Sequence, residues 1–94
     1  MKASELEKEF QSVSKYYDFQ WDDGGKEGQN YMSWATRDNG NVGLEEVGQQ
    51  DIDNAQEIIK TMRSKSLPIK WSMDTCDEWV NINAELTNGN TFNS

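Results

Sequence analysis

Apolar residues recur every three or four positions near the start of the chain, with charged residues between them. This spacing over residues 3–16 predicts an amphipathic helix. Ser4 and Glu7, three residues apart, predict a capping box at its first turn. The apolar stripe consists of Leu6, Phe10, Val13 and Tyr16 or Tyr17.

Residues 51–65 show the same helical periodicity, and they predict the second helix. Asp51 is the expected N-cap, and Leu67-Pro68 is expected to end the helix. Acidic residues come early and basic residues late in this stretch, which matches the helix dipole. The apolar stripe is Ile52, Ala55, Ile58 or Ile59, and Met62.

Three segments before the second helix predict strands. Residues 16–21 alternate aromatic and polar side chains, which is typical of a strand. The glycine-rich run 22–30 has no apolar residue and predicts a mobile loop. Residues 31–36 and 42–48 predict a hairpin, since Asn39-Gly40 between them is a strong turn signal.

Residues 69–86 predict a second hairpin, whose inward side chains alternate with polar ones. The predicted inward set is Ile69, Trp71, Met73, Val80, Ile82, Ala84 and Leu86. The predicted order is therefore α-β-β-β-α-β-β, an α+β domain with two helices on a mainly antiparallel sheet of about five strands. We expect one domain over residues 1–86 and a frayed tail over 87–94.

Composition limits the size of the core and indicates the cellular compartment. Only 34% of the 94 residues are hydrophobic, but four Trp, three Tyr and three Phe can supply a small core. The single cysteine, Cys76, excludes an intramolecular disulfide and favours a reducing compartment such as the cytoplasm. The first residues lack the apolar region of a signal peptide, and no apolar run is long enough to span a membrane.

The net charge of −8 comes from one part of the sequence. Residues 18–57 hold ten acids and two bases, while the rest of the chain is balanced. So localised a charge predicts a positively charged partner and disfavours anionic lipid surfaces. The ten acids are Asp18, Asp22, Asp23, Glu27, Asp38, Glu45, Glu46, Asp51, Asp53 and Glu57.

Catalytic chemistry has little support in the sequence. Histidine is absent, so the commonest general base and the Ser–His and Cys–His pairs are missing. Asp74, Asp77 and Glu78 flank Cys76 and disfavour its reactive thiolate. A calcium loop starting at Asp38 fails at its third, fifth and twelfth positions. We therefore expect no enzyme activity, no metal site and no cofactor.

Direct nucleic-acid binding is also disfavoured. The one local excess of basic residues consists of Lys60, Arg63, Lys65 and Lys70. The first three of these match the dipole of the second helix. A net charge of −8 opposes approach to phosphate. We expect these bases to serve the fold.

The leading hypothesis is a non-enzymatic binding module that covers a basic surface, often a nucleic-acid-binding one, on a protein partner. Phage anti-defence inhibitors of the DNA-mimic type, directed at CRISPR or restriction systems, and nuclease-toxin immunity proteins share this character. The alternative is a structural or regulatory domain that self-associates, for example as a homodimer, through a sheet edge. Its acidity would then serve solubility.

Partner contact is expected at the acids of the charged stretch and at one tryptophan. Trp79 shares strand parity with Asn81 and Asn83. It either packs against the aromatics of the first strand or under a loop, or it is exposed and anchors an interface. Trp21 and Trp34 are expected in the core or at its edge. The predicted contact residues are Asp18, Asp22, Asp23, Glu27, Asp38, Glu45, Glu46, Asp51, Asp53 and Trp79.

Overall fold

The computed structural model describes residues 1–37, 48–75 and 79–93, with Arg37 described as backbone alone. Its elements are α1 (Ala3–Ser14), β1 (Gln20–Gly24), β2 (Tyr31–Arg37), α2 (Gln49–Ser64), β3 (Ile69–Thr75) and β4 (Trp79–Leu86). The four strands form one antiparallel sheet in the order β1-β2-β4-β3. The predicted α+β class with two helices is confirmed. Apart from Gly48, which precedes α2, the fifth predicted strand (42–48) lies outside the described residues, as does Asn39-Gly40.

The register of the sheet separates an apolar face from a polar one. Trp34 pairs with Ile82 on β4, and Trp71 pairs with Ala84. Directly paired residues point to the same side of a sheet, so these four side chains share the face that packs into the core. The predicted alternation on β4 is confirmed, because the side chains at 80, 82, 84 and 86 are all buried.

Aromatic rings join the first helix to this face. Phe10 of α1 stacks on Trp34, with ring centroids 4.0 Å apart and planes 7° from parallel. Trp71 lies beside both rings, 5.9 Å from Trp34, and Phe19 meets Phe10 edge-on at 6.4 Å. The buried side of α2 belongs to the same core, so both helices cover one face of the sheet.

Neither helix begins with the predicted side-chain cap. Lys2 occupies the N-cap of α1, so Ser4 lies inside the helix and forms no capping box. Glu7 instead accepts a hydrogen bond from the Trp34 indole Nε1 at 2.5 Å. Gly48 occupies the N-cap of α2, which places Asp51 within the first turn. Asp51 still has the favourable position for the helix dipole.

The first strand starts later than its aromatic pattern predicts. β1 runs from Gln20 to Gly24, so it includes residues expected in a loop, and a bulge interrupts its pairing between Trp21 and Asp23. Gly24 and Gly25 both have positive φ, near +79° and +76°, which side chains with a Cβ rarely adopt. The strand therefore continues until two glycines permit the turn.

The prediction of a frayed C-terminal tail is wrong for Phe92. Its side chain is 1% exposed and belongs to the core. Its backbone N–H donates to Gln29 O at 2.7 Å, and its carbonyl accepts from Gly28 N at 3.0 Å. The next residue, Asn93, donates to Met1 O and bridges to Lys2. One buried aromatic thus holds the tail and the 25–30 loop together.

An arginine covers the outer edge of β3. The N–H of Thr87 donates to Pro68 O, which makes 68 and 87 a hydrogen-bonded pair. Hydrogen-bonded and non-hydrogen-bonded pairs alternate along antiparallel strands, so the pair of Trp71 with Ala84 is a non-hydrogen-bonded one. The backbone N–H and C=O of Trp71 therefore point away from β4. The Arg63 guanidinium donates to that outward Trp71 carbonyl at 3.1 Å. A charged side chain of α2 therefore occupies a backbone position open to another strand.

Replacing Trp71 by Ala should lower the free energy of unfolding by about 3–5 kcal/mol, because the ring is buried beside Trp34 and Phe10. Chemical denaturation measures this loss. Tyr16→Ala is the matched control, since Tyr16 is 84% exposed and its removal should change the free energy by less than about 0.5 kcal/mol. Equal small effects for both variants would place Trp71 outside the core.

Replacing Phe92 by Ala should also cost about 3–5 kcal/mol of unfolding free energy. A frayed tail would tolerate the change without loss, so a denaturant titration separates the two descriptions. The adjacent Thr91→Ala variant is the control, because Thr91 is exposed. Hydrogen exchange should in addition show protection at the Phe92 amide, which donates to Gln29 O.

Candidate functional site

Three of the predicted contact acids lie on β1 or in the loop directly after it. Asp22 and Asp23 lie on the strand and Glu27 in the loop that follows, and all three side chains are exposed. We call these three residues the turn group. Asp23 also accepts a hydrogen bond from Gly24 N at 2.7 Å through Oδ1. Asp18, exposed as well, lies just before the opposite end of the strand.

Two further predicted acids belong to α2 and form what we call the helix group. Asp53 is exposed and accepts a hydrogen bond from Gln49 Nε2 at 2.9 Å, while Asp51 is half-buried. Both lie in the first turns of the helix, which begins at Gln49. Their position fits the positive end of the helix dipole.

The topology separates the two groups. α2 ends shortly before β3 starts at Ile69, which pairs with Leu86. Leu86 N donates to Asn30 O, so this end of the sheet also carries the β1–β2 loop. The last turn of α2 lies at this end of the sheet, and its 16 residues span about 24 Å, so its first turn lies far from that end. The helix group thus lies toward the other end of the sheet, and above β3 and β4 rather than at β1.

The remaining predicted acids and the cysteine are not placed. Asp38, Glu45, Glu46 and Cys76 lie outside the described residues. Trp79 is half-buried at the start of β4, on the face of the sheet opposite the helices.

This second face of the sheet is polar and has small side chains at its centre. Ser33 and Ala35 on β2 pair with Asn83 and Asn81 on β4. Asn83 Nδ2 donates to Asp74 Oδ2 at 2.8 Å. The Asn81 side-chain oxygen is buried and has no hydrogen-bond partner. No helix covers this face in the part of the chain that the structure describes.

Two exposed aromatic rings flank the glycine turn after β1, a feature that the sequence analysis did not single out. Trp21 is 43% exposed and Tyr31 is 40% exposed. A Cβ on Gly25 would lie 2.6 Å from Trp21 Cζ2, and one on Gly24 would lie 2.8 Å from Tyr31 Cδ2. The Trp21 indole Nε1 donates to Gly24 O at 3.3 Å, which fixes the ring over the turn.

The exposure of Trp21 corrects the expectation of a core or core-edge role, which holds only for Trp34. Trp34 lies on the central strand β2 and is fully buried, whereas Trp21 lies on edge strand β1 beside the bulge. The adjacent glycines were the sequence signal for this difference. They permit a turn on which an aromatic ring can rest.

Two of the four clustered basic residues are engaged within the fold. Lys65 Nζ forms an ion pair with Glu9 Oε2 of α1 at 2.9 Å. Arg63 bonds the Trp71 carbonyl. Lys60 and Lys70 are exposed.

Residues 1–37, 48–75 and 79–93 contain no group of three or more His, Cys, Asp or Glu side chains able to hold a metal ion. Over the same residues, neither helix has the length and apolar character needed to cross a membrane. No protein-family model, curated protein or solved structure matches the chain.

Gly25→Ala should destabilise the protein more than Gly28→Ala. Both positions have positive φ, so each variant loses about 1–2 kcal/mol from backbone strain. A Cβ at 25 would also press on Trp21 and Ala3, which adds about 1–3 kcal/mol of overpacking. A Cβ at 28 meets nothing within 4 Å. Chemical denaturation of the two variants measures the difference, and equal losses would contradict the packing of Trp21 on the turn.

Proposed function

We propose that this protein is a small acidic, non-enzymatic binding module that covers a basic surface on a protein partner. Exposure of the charge is the observation that carries the proposal: Asp18, Asp53 and all three residues of the turn group present exposed side chains. Exposed carboxylates attract positively charged partners over a distance of about 8–10 Å at physiological salt.

The sign of the charge favours a partner that itself binds nucleic acid. Such a partner carries a basic face, and a module with a net charge of −8 competes for that face with phosphate. Anti-CRISPR and anti-restriction inhibitors of the DNA-mimic type act in this way, and nuclease-toxin immunity proteins also cover basic surfaces. We place the protein in this functional class, within the reducing setting of the cytoplasm that a single cysteine favours.

The engagement of basic residues within the fold supports the same proposal over direct nucleic-acid binding. Lys65 forms an ion pair with Glu9 of α1, and Arg63 donates a hydrogen bond to the Trp71 carbonyl of β3. These contacts leave a smaller basic surface for phosphate.

Self-association through a sheet edge, the alternative function, receives less support. The Arg63 guanidinium occupies the outward Trp71 carbonyl of one edge strand. The other edge strand, β1, is short and carries a bulge between Trp21 and Asp23. Covered backbone groups and bulges are features by which proteins avoid edge-to-edge pairing.

Affinity capture from a lysate of the source cells tests the proposal. The retained proteins should be basic, should be released near 1 M salt, where screening shortens to about 3 Å, and should be displaced by duplex DNA. Retention that is unchanged at high salt and with DNA present would contradict the proposal.

Charge reversal locates the contact within the acidic stretch. Asp22→Lys with Glu27→Lys should weaken capture tenfold or more, chiefly by slowing association. The matched variant, Asp53→Lys with Glu57→Lys, makes the same change in net charge on α2, away from the turn group. Surface plasmon resonance with the captured partner compares both. Identical effects would show dependence on net charge alone, and no effect from either would contradict the electrostatic proposal.

A further inference from the structure

The turn that follows β4 contains an asparagine directly before a glycine. Residues 87–90 form this turn, which is closed by a hydrogen bond from Asn90 N to Thr87 O at 3.2 Å. The two central residues, Asn88 and Gly89, have φ values of +61° and +73°. Positive φ at both central positions is the pattern of a type I′ turn, for which Asn-Gly is a preferred sequence.

The reactive groups of this Asn-Gly pair are exposed and unengaged. Within the described residues, neither the Asn88 side chain nor the Gly89 N–H makes a hydrogen bond. A Cβ at position 89 would meet nothing within 4 Å, so the turn has open space on that side. Glycine itself has no Cβ to hinder the approach of its nitrogen to the preceding side chain. Asn90 is exposed as well, but the branched side chain of Thr91 follows it.

We propose that Asn88 is a site of spontaneous deamidation and isoaspartate formation, a property independent of the proposed function. Asparagine is among the thermolabile residues of proteins. The Gly89 nitrogen loses its proton to water and attacks Asn88 Cγ, while the side-chain nitrogen takes up a proton and leaves as ammonia. The product is a cyclic imide. Water opens the ring at either carbonyl and gives aspartate or isoaspartate, so the whole reaction consumes one water and releases one ammonia.

Isoaspartate at this position weakens the attachment of the C-terminal segment. The main chain then runs through the former side chain, which adds one carbon between residues 88 and 89 and disturbs the hydrogen bond that closes the turn. The turn leads from β4 to Phe92, whose ring is buried and whose backbone bonds the 25–30 loop. A longer chain at the turn therefore loosens the buried position of Phe92.

Ageing of the whole 94-residue chain in warm, mildly alkaline buffer tests the site. Proteolysis after Glu85 releases residues 86–94, and mass spectrometry with electron-transfer fragmentation separates asparagine, aspartate and isoaspartate at each position. Asn88 should convert about tenfold faster than Asn90 or more, a difference of about 1.4 kcal/mol in activation free energy. Isoaspartate should exceed aspartate. Equal rates at both positions, or aspartate as the sole product, would overturn the proposal.

Asn88→Gly is the matched variant, because glycine adopts positive φ and has no side chain to cyclise. It retains Asn39-Gly40, so it also reports any effect of ageing at that pair. Hydrogen exchange at the Phe92 amide should accelerate about tenfold as isoaspartate accumulates in the parent protein, a loss of about 1.4 kcal/mol in opening free energy. Exchange in Asn88→Gly should not change with ageing. Full protection of the Phe92 amide in the isoaspartate form, or equal acceleration in the variant, would overturn the link to the C-terminal segment.

Discussion

The stack of Phe10 on Trp34 is the interaction on which the arrangement of the domain depends. It joins α1 to the central strand β2, and Trp71 extends it to edge strand β3. Burying an indole also requires an acceptor for its N–H. Glu7, about one turn before Phe10, provides that acceptor. Stacking and hydrogen bonding thus fix both the position of α1 on the sheet and the side of the helix that faces it. α2 covers the rest of the core beside α1.

Periodicity predicted the parts of the fold in which burial decides conformation. The alternation on β4 corresponds to buried positions, and the apolar stripes of both helices correspond to buried or partly buried ones, with Tyr17 rather than the exposed Tyr16 packed against the core. Local capping rules failed because tertiary contacts took priority: Glu7 bonds Trp34 rather than the helix start, and α2 begins after Gly48. Phe92 was missed because a lone aromatic in a polar tail has no period. Its burial depends on the 25–30 loop, which only the folded chain brings near.

The candidate site was predictable in its charge but not in its arrangement. The acids could be counted from the sequence, whereas their division into a turn group and a helix group follows from the direction of α2 and the order of the strands. Likewise, the aromatic alternation of residues 16–21 assigned Trp21 to the inside. Trp21 does pair with core-facing Trp34, but it lies on the edge strand β1, where 43% of its surface stays exposed.

The contact of Arg63 with the edge of β3 links the solubility of the protein to the docking of a helix. Arg63 reaches the Trp71 carbonyl only while α2 lies on the sheet. Any opening that moves α2 off the sheet would expose both the apolar core and the edge of β3. Exposed apolar surface and an unpaired strand edge together promote aggregation. The net negative charge of the chain would then give little protection against aggregation. Resistance to aggregation should accordingly follow the stability of α2 more closely than the net charge of the chain.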